Sequence, residues 1–181
     1  KKDGLIVARQ ATVILDTGAY AEKGPSVCTV AAKSFLGPYR IPNISIDAYC
    51  VYTNKQVAGA FRGYGGCQPA WASESQMDMI ASRLGIDPVE IRLRNAYNEG
   101  ERHNSGQPLY SVSLKENLGE VSNVLEWRKG RPRKNQGRGV ALLEKIVKIP
   151  TASAAFIKME EDGTVQLLCS TTEVGQGADT V

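Results

Sequence analysis

Two stretches near the start of the chain alternate between apolar and polar residues, and each predicts a β-strand. The first runs from Leu5 to Leu15, is rich in Ile, Val and Thr, and ends at the turn-forming sequence Asp16-Thr17-Gly18. In the second, every other residue is apolar (Ile44, Ile46, Ala48, Cys50 and Tyr52). A period of two is typical of a strand with one buried face.

The middle of the chain predicts two helices. The segment from Gln68 to Leu84 places Met77, Ile80, Ala81 and Leu84 three and four residues apart, and Gly85 provides a helix end. The sequence Asp87-Pro88-Val89-Glu90 then combines a capping oxygen, a proline for the first turn and a glutamate that can reach back to the cap. It predicts a second helix that continues to about Asn95.

The second half of the chain predicts one more helix and three strands. The helix spans Lys115 to Trp127, and the strands span Val140 to Ile149, Ala154 to Glu160 and Val165 to Ser170. Glu161-Asp162-Gly163 is expected to join the last two strands as a hairpin. Because strands and helices follow one another without a regular β-α-β alternation, the predicted fold class is α+β, with mixed sheets and packed helices.

Composition narrows the class of protein. The chain has 181 residues, of which 42% are apolar and 23% charged, as in an ordinary globular protein. No apolar run approaches the ~18 residues of a membrane span. The chain starts without a methionine or leader and stops just after a turn, so we expect a piece of a longer polypeptide. The cysteines (Cys28, Cys50, Cys67 and Cys169) are too widely spaced for a metal-ligand set, which predicts reduced thiols and a cytoplasmic protein.

The positive charge is local. The net charge is +3, yet six lysines and arginines lie between residues 128 and 138, so the rest of the chain carries a net −3. Glycine and proline, rather than aromatic residues, separate these basic side chains, which favours a solvated linker over a nucleic-acid surface. A non-catalytic module that binds anions or RNA through this basic segment, 128–138, and the glycine-rich loop that contains Arg62 remains the alternative.

The sequence Phe61-Arg62-Gly63-Tyr64-Gly65-Gly66, called here the Arg62 loop, is the sharpest chemical signal. Its glycines permit positive φ and let a ligand approach main-chain N–H groups, while Arg62 offers a bidentate donor to an anionic oxygen. Tyr64 could present a flat ring to a planar substrate. The alternative is a tight turn between a strand and a helix, with a surface arginine.

A second candidate is the segment Gly175-Gln176-Gly177, called here the Gly175 loop. The amide of Gln176 supplies donors and an acceptor to a ligand, and the glycines expose the backbone around it. The alternative is a simple β-turn with an exposed glutamine.

Other polar candidates favour structural roles. Glu74 and Asp78 lie one helical turn apart, which is the spacing of an acid/base pair, but binding to Arg83, Arg92 or Arg94 is the favoured interpretation. The single histidine, His103, lies among polar loop residues and is not predicted to be catalytic or metal-binding. Trp71 and Met77 are predicted to belong to the core.

Taken together, these segments resemble the molybdenum-binding large subunit of the molybdenum hydroxylases, the family of xanthine dehydrogenase and aldehyde oxidase. The matching segments are Asp16-Thr17-Gly18-Ala19-Tyr20, Tyr39-Arg40-Ile41-Pro42-Asn43, Tyr52-Thr53-Asn54, Ala60 to Gly66, Glu74 to Asn95 with its Leu84-Gly85-Ile86-Asp87-Pro88 sequence, and Gly175-Gln176-Gly177. They follow the family's order over most of the chain. One departure is Cys67, which stands where the family usually has proline.

The resemblance implies roles for particular residues. It assigns Arg62, Gly63, Gly175, Gln176 and Gly177 to the binding of molybdopterin, alone or as its cytosine dinucleotide, by two adjacent domains. It assigns Tyr64 to the substrate, and it assigns no residue as a direct metal ligand. The general-base glutamate of the family is expected beyond Val181, so no catalytic residue is predicted in this segment and the isolated piece should be inactive.

The resemblance also implies an organisation and a set of partners. Residues 1–127 are expected to belong to a first molybdopterin-binding domain, 128–138 to a basic linker and 139–181 to the start of a second. The whole protein should oxidise an aldehyde or N-heterocycle with oxygen from water. FAD and 2Fe-2S partner domains or subunits, an oligomeric assembly, and no nucleic acid or membrane are expected. A degenerate homologue kept as a scaffold is the further alternative.

Overall fold

A computed structural model describes residues 1–127, 134–145, 152–173, 175 and 177–180. The chain divides into two compact units, Lys1–Ile146 and Val147–Val181. In chain order the elements are β1 (Ala8–Gly18), α1 (Gly24–Ser34), β2 (Asn43–Tyr52), α2 (Cys67–Leu84), α3 (Pro88–Asn95), α4 (Leu114–Val124), β3 (Ala155–Met159), β4 (Val165–Cys169) and a 3-10 helix (Ala178–Thr180). Helices and two small separate sheets confirm the predicted α+β class.

The sheet of the first unit consists of the two predicted strands. β1 and β2 are parallel, with Ala8 opposite Asn43 and a register shift between Asp16 and Gly18. β1 begins later than predicted because the N–H of Ile6 donates to the side chain of Asn95 instead of to a strand.

The sequence Asp16-Thr17-Gly18 was predicted to form a turn. In the structure it continues strand β1 as far as Gly18. The carboxylate of Asp16 accepts hydrogen bonds from the hydroxyl of Thr53 and the N–H of Gly18 and lies 3.0 Å from the ammonium of Lys55. These contacts, with the Thr53 bond the strongest, lower the pKa of Asp16 to about 2. The carboxylate therefore stays charged where it fastens the end of β1 to the end of β2.

Helix α1 was not predicted from the sequence. It crosses from β1 to β2, as the connection between parallel strands requires, and it buries Val27, Cys28 and Ala31. The signal was present in Pro25, which suits a first helical turn, and in the four-residue spacing of Val27 and Ala31. The glycine before Pro25 and the short length of the apolar stripe obscured it.

The predicted helices α2 and α3 form the centre of the first unit. The core cluster contains Tyr39, Ile41, Met77, Ala81 and Ile91. Gly85 ends α2 in the left-handed conformation, and the carboxylate of Asp87 caps α3 by accepting from the N–H groups of Val89 and Glu90. The predicted helix end at Gly85 and the predicted cap at Asp87 are confirmed, whereas the carboxylate of Glu90, expected to reach back to the cap, pairs with Arg94.

Two predictions about apolar residues were wrong. Trp71 is 75% exposed on α2, while Met77 is buried as expected. The described residues of the strand predicted over Val140 to Ile149, residues 140–145, form no strand; the remainder lie outside the described residues. In this segment the N–H of Leu142 donates to the carboxylate of Glu74, so a side chain takes the place of a neighbouring strand.

The second unit contains the predicted hairpin. β3 and β4 pair antiparallel, with Phe156 opposite Leu168, and a turn at Asp162 and Gly163 joins them. The predicted helix over Lys115 to Trp127 is present as α4 but ends at Val124, because Glu126 adopts a positive φ of 48°. Among the described residues, no helix is both long and apolar enough to span a membrane.

Candidate functional site

The Arg62 loop leads directly into α2 and has a left-handed backbone at its centre. Gly63, Tyr64 and Gly65 have φ values of 92°, 50° and 85°. Two internal hydrogen bonds close the loop, from the N–H of Tyr64 to the carbonyl of Phe61 and from the N–H of Gly66 to the carbonyl of Gly63. The loop is therefore a defined turn and not an open strand.

Close neighbours surround two glycines of this loop, and at Gly65 the neighbour is a main-chain carbonyl that cannot move aside. A Cβ on Gly65 would lie 2.5 Å from the carbonyl oxygen of Val27 in α1, and a Cβ on Gly63 would collide with the sulfur of Cys67. Both positions also have the positive φ that strains other residues. The shape of the loop is consequently set by close packing against α1 and against the start of α2.

The loop presents unused hydrogen-bond donors on a structured frame. Within the described residues, the N–H groups of Arg62, Gly63 and Gly65 have no hydrogen-bond acceptor, and the exposed guanidinium of Arg62 has neither an acceptor nor an ion-pair partner. The N-terminus of the eighteen-residue helix α2 follows at once, where the helix dipole favours negative charge. Such a donor set suits an anionic oxygen or the acceptor edge of a heterocycle.

Tyr64 is half-buried, and both ends of the residue are held. Its N–H is used inside the loop, and its hydroxyl lies 2.7 Å from the hydroxyl of Ser26 on the first turn of α1. The side chain is thereby fixed between the loop and α1 despite its strained backbone. An aromatic ring held in this way is prepared to pack on a flat ligand.

A buried charged network supports the helix that carries the loop. Arg92 is fully buried; its guanidinium lies 2.8 Å from Glu74 and 2.8 Å from Asp78, and the hydroxyl of Tyr39 donates to Glu74 over 2.6 Å. Burial and the negative charge of Glu74 raise the pKa of Tyr39, so the phenol stays protonated and donates. The structural interpretation of Glu74 and Asp78 is confirmed, with Arg92 as the partner, while Arg94 pairs with Glu90.

The segment 138–145 returns to the Arg62 loop. The N–H of Leu142 donates to Glu74, and the ammonium of Lys145 donates to the carbonyl of Gly63 over 2.9 Å. His103 lies 3.0 Å from Glu144 and 3.3 Å from the carbonyl of Gly37, with Ser105 on its other ring nitrogen. His103 therefore holds this segment against the rest of the first unit.

The Gly175 loop in the second unit has a different character. Gly175 and Gly177 have φ values of 94° and 82°, and the carboxylate of Glu173 accepts from their N–H groups over 2.5 and 3.2 Å and from the N–H of Ala178. Three main-chain N–H groups thus converge on one anion, which is the geometry of an anion-binding nest. Gln176, the predicted cofactor contact between the two glycines, lies outside the described residues.

A separate apolar cavity lies beside the loop but does not include it. Its volume is about 600 Å³, and its lining comes from β1, α1 and the first two turns of α2, with the exposed Trp71 at one side. Neither Arg62 nor Tyr64 lines this cavity. Across the described ranges, no group of three or more His, Cys, Asp or Glu side chains lies close enough to hold a metal ion.

Models of known protein families match most of this chain. The family model described as the molybdopterin cofactor-binding domain matches residues 1–96, more than half of the chain, and a second model of the same description matches residues 117–181. The chain belongs to the molybdopterin cofactor-binding domain family. The predicted resemblance to the molybdenum hydroxylases is thereby confirmed.

Individual relatives agree with this assignment. The chain is 38% identical to the xanthine dehydrogenase molybdenum-binding subunit of Escherichia coli, over 99% of this chain and 26% of that protein. It is 47% identical to the nicotinate dehydrogenase large molybdopterin subunit of Eubacterium barkeri, over 65% of this chain and 28% of that protein. The chain therefore spans about a quarter of the length of these curated relatives.

A solved structure gives the same result for the fold. The aldehyde oxidoreductase of Desulfovibrio desulfuricans superposes with a TM-score of 0.75 and 28% identity, over 92% of this chain and 19% of that chain. Similarity at this level supports molybdopterin as the cofactor of the family, and the donors of the Arg62 loop fit such a ligand. Molybdopterin carries a phosphate and a pterin ring, which need a cation, N–H donors and a flat surface.

Sequence reasoning missed three residues that contact the two glycine loops. Ser26 holds Tyr64, Lys145 reaches the carbonyl of Gly63, and Glu173 fills the nest of the Gly175 loop. Glu173 stood two residues before a glycine in a predicted turn, where a carboxylate commonly accepts local N–H groups. Ser26 and Lys145 gave no sequence signal, because their contacts join residues far apart in the chain.

Proposed function

We propose that this chain is the part of a molybdenum hydroxylase that binds molybdopterin through the Arg62 loop and contacts the substrate through Tyr64. The observation that carries the proposal is the loop itself, where Arg62 and three N–H groups have no partner among the described residues and stand on a frame fixed by Gly65 and α1. We also assign Gly175, Gln176 and Gly177 to the cofactor. The relatives and the family match support both assignments.

The proposed reaction of the whole protein is the oxidation of an aldehyde or an N-heterocycle with oxygen taken from water. The bound molybdenum cofactor would supply the two-electron redox chemistry, which side chains alone lack. In this chain Arg62 would hold an anionic oxygen of the cofactor, Gly63 and Gly65 would bring N–H donors within reach, and Tyr64 would orient the substrate ring. We further propose FAD and 2Fe-2S partner domains or subunits as electron acceptors.

The test measures cofactor retention in the full-length protein from a host that makes molybdopterin. Loss of a charge-assisted bidentate contact removes about 1.5–3 kcal/mol, so Arg62→Ala should lower the molybdenum and pterin content per chain at least tenfold under dialysis. Arg83→Ala is the matched control, since Arg83 is an exposed arginine at the opposite end of α2. Its molybdenum content should equal that of the wild type.

A second variant separates the substrate role from the cofactor role. Tyr64→Ala should retain molybdenum and pterin while its steady-state kcat/KM changes, because the ring contacts the substrate and Arg62 contacts the cofactor. Wild-type molybdenum content in Arg62→Ala, combined with wild-type kinetics in Tyr64→Ala, would refute the assignment of the site.

A further inference from the structure

The hydroxyl of Tyr64 belongs to a chain of two hydrogen bonds that runs through Ser26 to the carbonyl of Lys23. The hydroxyl of Ser26 lies 2.9 Å from the carbonyl oxygen of Lys23 and 2.7 Å from the hydroxyl of Tyr64. A carbonyl oxygen only accepts, so both contacts are hydrogen bonds at the same time only when Ser26 donates its single proton to Lys23. Ser26 can then only accept from Tyr64, which means that the phenol proton points at Ser26.

This direction leaves the Tyr64 oxygen with lone pairs and no proton to offer. Tyr64 is half-buried and Ser26 exposed, so the phenol oxygen lies at the edge of the region around the Arg62 loop rather than in the core. A ligand that approaches Tyr64 therefore meets a flat ring whose polar end accepts hydrogen bonds but cannot donate one.

Close packing between α1 and the Arg62 loop holds both residues of the Tyr64–Ser26 hydrogen bond in place. Ser26 follows Pro25 in the first turn of α1, and the next residue, Val27, packs its carbonyl against Gly65. Tyr64 stands one residue before Gly65 with a φ of 50°. Because the same turn of α1 contacts both residues of the loop, Tyr64 has little freedom to rotate its hydroxyl away from Ser26.

We infer that Ser26 is a specificity-determining residue, which makes the Tyr64 hydroxyl an acceptor and so selects substrates that carry an N–H or O–H donor on their ring. The inference rests on the proposed function in one respect, that Tyr64 contacts the substrate. Ser26 is a positioning residue, since it acts through Tyr64. A substrate ring that presents only an acceptor atom to Tyr64 faces the lone pairs of the phenol oxygen, so it forms no hydrogen bond there.

The test uses two probes of the same shape and opposite polarity with the full-length holoenzyme. Indole and benzofuran differ in one ring atom, an N–H donor in the first and an acceptor oxygen in the second. Their dissociation constants come from calorimetry, and kcat/KM comes from the corresponding carbaldehydes with the aldehyde on the same ring carbon. Comparing the indole-to-benzofuran ratio between variants cancels the intrinsic reactivity of the two compounds.

The variants change the hydrogen-bond chain one link at a time. A neutral hydrogen bond corresponds to roughly a tenfold preference for indole in the wild type, and Tyr64→Phe should reduce it to about onefold. Ser26→Ala frees the phenol proton and should reduce the preference to about two- to threefold, whereas Ser26→Thr keeps the hydroxyl and should keep the ratio. Thr29→Ala is the control, because Thr29 also donates to a main-chain carbonyl of α1 but does not touch Tyr64.

The outcomes separate this inference from the function on which it rests. A wild type that binds indole no more tightly than benzofuran overturns the inference, as does a Ser26→Ala ratio equal to that of the wild type and of Thr29→Ala. Molybdenum content reports the proposed function independently. If Arg62→Ala keeps its molybdenum and Tyr64→Ala keeps its kinetics, the proposed site fails. If those two variants behave as proposed but the indole-to-benzofuran ratios do not change, only the role of Ser26 fails.

Discussion

The two glycine loops proposed to bind the cofactor differ in what gives them their shape. In the Arg62 loop, a Cβ on Gly65 would strike the carbonyl of Val27 in α1, so packing within the first unit sets the backbone. In the Gly175 loop, a Cβ on Gly175 or Gly177 would meet no atom of the described residues within 4 Å, and the carboxylate of Glu173 holds the N–H groups instead. One loop is shaped by packing and the other by a local anion.

This difference implies different states of readiness for a ligand. The N–H groups of Arg62, Gly63 and Gly65 have no acceptor among the described residues, so a ligand that binds them displaces only water. The N–H groups of Gly175 and Gly177 already have a carboxylate, and a ligand must compete with it. Prepared donors contribute more to affinity than donors that must first be released. The first loop should therefore dominate cofactor retention.

The largest effect is expected from breaking the network under the Arg62 loop. Glu74→Gln would leave the fully buried Arg92 without its buried carboxylate, which costs about 3–5 kcal/mol. Hydrogen exchange in α2 and α3 of the full-length protein, followed by mass spectrometry, should accelerate about 100-fold or more if exchange follows local opening. The Gly175 loop should be unaffected.

Asp78→Asn is the matched control for this change. Asp78 contacts the same guanidinium, but its side chain is 53% exposed, so its loss should cost less than about 1 kcal/mol. Equal effects of the two substitutions would show that the buried Glu74 has no special role in supporting α2.

The second prediction compares one glycine from each loop. Gly65→Ala and Gly175→Ala both place a side chain at positive φ, but only the first also meets a neighbouring backbone. The strain costs about 1–2 kcal/mol at either site, and the collision adds roughly another 1–3 kcal/mol to Gly65→Ala. Limited proteolysis at the substituted loop should accelerate about 30-fold more in Gly65→Ala. Equal rates would remove packing as the basis of the comparison.

Much of the fold was predictable because its signals are local. The caps of α2 and α3, the strand alternation of β2 and the hairpin turn at Asp162 each depend on residues a few positions apart. The strand predicted from Val140 failed for the opposite reason. In this segment the N–H of Leu142 donates to Glu74, which lies 68 residues away, and no local pattern reveals that contact.

In the candidate site, too, local sequence patterns could be predicted and contacts between distant residues could not. The glycines and the arginine of the Arg62 loop form a contiguous pattern, and their resemblance to a known family could be seen from the sequence. Ser26, which sets the direction of the Tyr64 hydroxyl, is 38 residues from its partner and belongs to a helix that was not predicted. The exposed Trp71 shows the converse error, since a large apolar residue on a helix need not face the core.

The third prediction removes the anion from the Gly175 loop. Glu173→Gln keeps the side-chain shape but replaces charge-assisted hydrogen bonds with neutral ones, which are about half as strong. Amide exchange at Gly177 and Ala178 should accelerate about fivefold, while the Arg62 loop should keep its wild-type rates. Glu161→Gln, an exposed carboxylate in the hairpin turn of the same unit, serves as the control. Unchanged exchange in Glu173→Gln would show that this loop does not depend on its local anion.

The smallest effect concerns the segment that returns to the Arg62 loop. The hydrogen bond and negative charge of Glu144 raise the pKa of His103 above its usual value, against the opposing effect of burial, and the carbonyl of Gly37 adds to the rise. A raised pKa in the folded state means that the stabilisation is complete below the unfolded pKa of about 6.5 and is lost as pH rises through the folded value. Tyr97, whose ring centroid lies 5.5 Å from that of His103, stays neutral because burial raises its pKa to about 12.

Raising the pH should therefore loosen residues 139–145, and with them the contact between Lys145 and Gly63, without disturbing the Gly175 loop. Exchange of this segment, corrected for the intrinsic rate at each pH, should be a few-fold faster at about pH 9 than at about pH 6. Glu144→Gln should abolish the dependence, whereas Glu99→Gln should preserve it, because Glu99 accepts only from the N–H groups of Ser111 and Val112. The same pH dependence in the wild type and in Glu144→Gln would assign the effect to another group, and His103 would then not be what holds residues 139–145 in place.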